Sequence, residues 1–254
     1  MKERIVTTFG IVIIVAGIAF GAFGIKKCWE EEKAGEEYEE IKEQVVLPIP
    51  EIESEEEKEV VIPIDFGSLT AEYPDVYAWI RIPGTGIDYP IAQRAGDNSY
   101  YLTHTIDGKK RIAGAIYTED YNTKEFTDPN TVIYGHNMRN GSMFKQLHKF
   151  KSKQFFADNQ EVLIYQPNRI LHYKIFAAYT YDNRHLIRSF AFADETAYQS
   201  YLNEVFKKAR TSGNLDTDVQ VTSENQIITL STCTGNDSQR YLVQAVLLSI
   251  EEKQ

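Results

Sequence analysis

Ile227-Ile228-Thr229-Leu230-Ser231-Thr232-Cys233-Thr234-Gly235 is a β-favouring run that ends on a cysteine. Gly235, Asn236 and Asp237 follow at once, so the thiol sits where a strand gives way to a loop. Arg240 then opens a second strong run over 241–248. Paired as a hairpin, the two runs set Cys233 and Arg240 face to face, the electropositive setting that favours a thiolate nucleophile. The competing reading is a strand-end cysteine packed as a small hydrophobe.

Most of the rest of the chain reads the same way. Short β-favouring stretches recur at 77–82, 87–91, 114–117, 130–134, 162–165 and 171–179, punctuated by turns such as Pro83-Gly84-Thr85-Gly86. A short helical turn is expected around 68–73. Only 142–150 and 194–210 carry longer helical patterns. In the second, Tyr198, Tyr201, Leu202, Val205 and Phe206 make one apolar stripe. No internal repeat is present. Many short strands with few helices predict a mainly β fold, a barrel.

The N-terminal part differs. Residues 5–25 are uncharged and apolar, long enough for one membrane-spanning helix, and are read as a signal anchor behind a short cytoplasmic stretch, 1–4. A cleaved signal peptide, with Ala22-Phe23-Gly24 as its site, is the rival reading. Residues 26–59 follow as an acidic extracellular linker. Within 30–59 stand 14 Glu against Lys33, Lys42 and Lys58, with Pro48 and Pro50 interrupting. Like charges and no evident apolar stripe predict a solvated spacer. The formal charge of −10 thus belongs to the tether, and the nearly neutral domain over 60–254 has no basic stripe for nucleic acid. The only other cysteine, Cys28, lies outside the domain; there is no disulfide framework, no metal-ligand spacing and no cofactor motif.

Val132-Ile133-Tyr134-Gly135-His136-Asn137 repeats the strand-to-loop setting of Cys233, which singles out His136 as acid/base partner. His172 reads as mid-strand, His148 as a surface residue of a short helix, and His104 and His185 as loop residues. The thiolate would attack a backbone carbonyl, and His136 would pass a proton to the leaving amine. Arg240, which cannot lose its proton, would stabilise the oxyanion with the Thr234 N–H.

These motifs resemble the sortases, cysteine transpeptidases of Gram-positive cell surfaces, and among them class B. The resemblance rests on 134–138 with Gly141-Ser142-Met143-Phe144, on 229–233 and on Arg240. The segments 79–90 and 97–102 add to it, and the whole covers 66 to the C-terminus. It implies an eight-stranded sortase β-barrel with a Cys233–His136–Arg240 site. The substrates it implies are surface proteins with an Asn-Pro-x-Thr-like sorting motif, joined to an amine of peptidoglycan or its lipid-linked precursor. It further implies a substrate groove with Ser231, Tyr134 and Thr234 on one side and Asn98 and Leu102 on the opposite wall, completed by Tyr181 and Ile187 of the following loop. For Tyr134 and Leu102, barrel core is an equal reading. The chain departs from class B in having Thr234 where an acidic residue is usual, and in a shorter 233–240 loop. Pilin polymerisation, a hydrolytic cysteine protease and an inert binding domain remain the alternative functions.

Overall fold

The computed structural model describes residues 24–26, 29–48 and 60–253. The expected membrane span over 5–25 falls almost wholly outside them. No helix among the described residues is long and apolar enough to cross a membrane.

Among the described residues nine strands form one sheet: β1 (Val76–Ile82), β2 (Ile87–Ala92), β3 (Ile116–Thr118), β4 (Asn130–Tyr134), β5 (Glu161–Gln166), β6 (Arg169–Asp182), β7 (Gly213–Leu215), β8 (Ile227–Cys233) and β9 (Gln239–Glu252). Their order is β5-β1-β2-β3-β4-β8-β9-β6-β7, and a further β5–β6 pairing closes the first eight into a barrel with β7 appended. Most neighbours are antiparallel; β2–β3 and β4–β8 run parallel. The closed ring leaves no long unpaired edge among its eight strands.

Two cores flank the barrel wall. The larger takes in the barrel interior and the packing under the N-terminal helix, with Trp79, Ile80, Ile116, Phe144, Phe150 and Ile164 fully enclosed. The smaller lies outside, where α5 (Glu195–Ser212) covers β6, β8 and β9 with Tyr198, Tyr201, Leu202, Val205 and Ala209. The Asp194 side chain caps α5 by accepting from the Ala197 N–H at 2.7 Å. Burial of each such large side chain contributes roughly 1.5–3 kcal/mol. Between wall and helix, Gln244 donates to the Tyr201 hydroxyl at 2.7 Å and to Thr229 Oγ1 at 2.8 Å, tying β8 and β9 to α5.

The N-terminal segment departs from the expected spacer. Residues 29–45 form a helix, α1, laid on the barrel with Ala34, Tyr38, Ile41 and Val45 buried. These four positions make an apolar stripe after all. The Tyr38 hydroxyl donates to the Gly114 carbonyl at 2.9 Å, Arg111 pairs with Glu37 at 2.9 Å, and Lys42 with Asp88 at 3.4 Å. One of the glutamates, Glu37, thus faces barrel cations, Lys109 as well as Arg111, rather than water alone.

Shorter helices complete the chain: α2 (Phe66–Glu72), α3 (Lys153–Asp158), α4 (Leu186–Ser189), and 3-10 turns at Tyr100–Leu102 and Phe144–Lys151.

Candidate active site

The parallel pairing of β4 with β8 sets Tyr134 beside Ser231, and the Gly135 N–H continues the ladder by donating to the Ser231 carbonyl at 3.1 Å. Both strands therefore end on the same rim, one delivering His136 and the other Cys233. Gly135 is required there: a Cβ would come within 2.5 Å of Ile116 Cδ1 and 2.6 Å of the Phe144 ring. In the antiparallel β8–β9 hairpin, Cys233 stands opposite Arg240, as the sequence pattern anticipates.

The three residues border one cavity of about 270 Å³. Cys233 is exposed at its mouth. His136 Nε2 lies 2.7 Å from the Leu102 carbonyl. A carbonyl only accepts, so Nε2 carries its hydrogen and Nδ1 is left to exchange protons. Arg240 Nη1 donates to the Gln239 carbonyl at 2.9 Å and the Asp237 carbonyl at 3.2 Å, which holds the guanidinium over its own loop.

Leu102, Tyr134, Ser231 and Tyr181 also line the cavity, as expected of groove residues, and Leu102 is 42% exposed. Asn98, Thr234 and Ile187 do not. Both ends of the Asn98 amide are engaged by Asp120: Nδ2 donates to Oδ1, and Oδ1 accepts the Asp120 N–H, each at 2.7 Å. The Thr234 hydroxyl turns into the loop, accepting from the Asn236 N–H at 3.2 Å. Ile187 packs toward α5, and its neighbour Leu186 faces the cavity instead.

Several site residues have no sequence signal. Glu119, almost buried, accepts from the Tyr134 hydroxyl at 3.1 Å and faces His185 Nε2 at 2.9 Å, strapping the 182–194 loop to the barrel rim. His185 is thus a structural partner of the groove. His148 is the second: its Nε2 lies 3.0 Å from the Cys233 carbonyl. No spacing rule marks it, because the contact crosses 85 positions. His104 stacks on Tyr100 with ring centroids 4.1 Å apart, and His172 sits beside Glu161 and Glu251.

Burial pushes the Tyr134 and Tyr117 phenols up, and the Glu119 carboxylate pushes them further, so both stay protonated. Burial and then the hydrogen bond to Glu204 do the same for Tyr181. Burial lowers the His148 imidazole against the opposing pull of the Cys233 carbonyl. Among the described residues no three His, Cys, Asp or Glu side chains gather as a metal site would need.

The family described as "Sortase domain" matches residues 80–248. The chain belongs to the sortase family. Sortase B of Listeria monocytogenes is 38% identical over 159 residues, 63% of this chain and 63% of that protein's length. The crystal structure of sortase B from Clostridium perfringens superposes with a TM-score of 0.66 at 32% identity, covering 72% of this chain and 99% of that one. That of sortase B from Bacillus anthracis gives 0.70 at 28% identity, over 89% and 99%. These similarities make this sortase a member of class B and its enzyme class that of a cysteine transpeptidase. The eight-stranded closed barrel agrees with both solved structures.

Proposed function

We propose that this sortase cleaves a C-terminal Asn-Pro-x-Thr-like sorting motif of surface proteins after the Thr. It then joins the new C-terminus to an amine of peptidoglycan or its lipid-linked precursor. The Cys233 thiolate adds to the Thr carbonyl carbon, and Arg240 with the Thr234 N–H receives the developing oxyanion. Collapse breaks the C–N bond; His136 protonates the departing amine, leaving a thioester on Cys233. An acceptor amine then attacks the thioester, His136 takes its proton, and the thiolate is released. Leu102, Tyr134, Ser231 and Tyr181 would hold the peptide in the groove. In the same reading the 5–25 segment anchors the chain in the cell membrane as a single pass, with the catalytic domain on the outer face.

The observation that carries this reading is the meeting of three strand ends on one cavity, with His136, Cys233 and Arg240 at its edge. The test is to incubate the full chain in detergent with sorting peptides, with and without amine acceptors, and to weigh the products. A peptide–amine conjugate that disappears in Cys233→Ala is expected. Hydrolysis alone at saturating amine would make the chain a protease instead.

A further inference from the structure

Beside the nucleophile, and outside the cavity lining, the 3-10 turn Phe144–Lys151 packs against the hairpin that carries Cys233 and Arg240. Its Phe144, Leu147 and Phe150 enter the barrel core, which fixes the turn in place. Its half-buried His148 packs on Tyr241 with ring centroids 5.0 Å apart and aims Nε2 at the Cys233 carbonyl, 3.0 Å away. A carbonyl only accepts, so Nε2 is the protonated nitrogen. The other nitrogen, Nδ1, is buried without a partner, as are the neighbouring Tyr241 hydroxyl and Thr232 Oγ1. A second proton on the ring would therefore be a buried, unanswered donor, which keeps the imidazole neutral and its tautomer fixed.

The peptide group joining Cys233 to Thr234 is planar and trans, so its C=O and N–H point in opposite directions. With the carbonyl drawn toward His148, the Thr234 N–H is turned away from the 3-10 turn. That N–H makes no hydrogen bond within the described residues. We propose that His148 is a positioning residue: by holding the Cys233 carbonyl it locks the 233–234 peptide plane and aims the Thr234 N–H at the oxyanion. The inference rests on the reading of Cys233 and Thr234 given above. It assigns His148 no proton transfer and no contact with substrate. The gain is preorganisation, because a glycine-flanked loop end would otherwise reorient its peptide during the reaction.

Two variants separate the donor from the ring. His148→Gln keeps a neutral N–H donor at a similar reach and loses the ring. His148→Phe keeps the ring on Tyr241 and loses the donor. Both are compared in the full chain on a Cys28→Ser background, with thermal melting to follow the fold. In His148→Phe, kcat for transpeptidation is expected to fall roughly 10–100-fold, short of the ~10²–10³ of outright oxyanion-donor loss. KM for the sorting peptide and the pH profile of Cys233 alkylation by iodoacetamide should not move, because neither groove nor sulfur is touched. His148→Gln should recover most of kcat even where it melts lower than His148→Phe. The proposal is overturned if His148→Phe keeps full kcat, if Gln is no better than Phe, or if the loss lies in KM or in thiol reactivity. Conjugate formation that persists in Cys233→Ala would instead overturn the underlying reading of the site.

Discussion

Arg240 shows how much the geometry asks of one side chain. Its Nη1 already serves two loop carbonyls, those of Gln239 and Asp237, so the head is anchored before any substrate arrives. The remaining guanidinium N–H groups are then held in a fixed fork at the mouth of the cavity. Lysine would supply the charge but not the fork, and its strongly hydrated ammonium on a flexible stem could not brace the loop and face an oxyanion together. Arg240→Ala is expected to lower kcat/KM by ~10²–10³, the range for loss of one oxyanion donor. Arg240→Lys should recover only a small part of that. Steady-state kinetics on a quenched sorting peptide with an amine acceptor gives both numbers. A lysine variant within twofold of the parent would show that charge alone suffices. This residue was legible in the sequence because hairpin register is local: strand, short loop and strand fix which residues oppose each other. His148 was not, since its partner is a backbone carbonyl in a distant strand, and a carbonyl has no sequence signature.

Among the elements, α1 is where charge concealed structure. Ala34, Tyr38, Ile41 and Val45 recur at helical spacing, but they are set among glutamates whose mutual repulsion reads as a solvated chain. The missing information was the countercharge: Lys109 and Arg111, which both reach Glu37, and the Lys42–Asp88 contact. Tyr38 is a buried polar anchor of the helix, packed against Tyr89 edge-to-face with centroids 5.6 Å apart and bonded to the Gly114 carbonyl. Gly114 itself adopts φ +56° and borders the His136 ring, so this contact lies one layer behind the site. Tyr38→Phe keeps the packing and leaves that carbonyl without its partner. The expected loss is about 1–2 kcal/mol of unfolding free energy, read from urea melts of the full chain in detergent. An unchanged midpoint would mean that α1 is not held on the barrel in solution.

Across the whole molecule, eight of the nine strands were readable one at a time, with Gly213–Leu215 the exception, and a barrel was expected; which segments pair to close it was not legible. The parallel β4–β8 and β2–β3 pairs and the β5–β6 seam join segments whose sequences carry no mark of each other. A few carboxylates held by neighbouring cations and N–H groups set the acid limit of the fold. Burial raises the Asp216 carboxyl, but hydrogen bonds from the Asp218 N–H, Lys174 and Gln160 outweigh it and hold the group below its ordinary range. The Arg184 fork lowers Asp182 in the same way, against a smaller opposing effect of burial. For such a carboxylate the stabilisation is complete above the unfolded value of about 4 and is lost as pH falls through the lower folded value. His148 acts earlier and with the same sign. Its burial lowers the folded value, so below the unfolded value of about 6.5 the unfolded chain takes up a proton that the folded chain refuses. Stability should therefore decline in two stages on acidification, one beginning near pH 6.5 and one near pH 4. Urea midpoints measured from pH 8 to pH 3 would resolve the stages. His148→Gln should remove the upper one and leave the lower; Asp216→Asn should shrink the lower and leave the upper. An upper stage that survives in His148→Gln would mean that the proton is taken up elsewhere, and that His148 is not the buried neutral donor its contacts require.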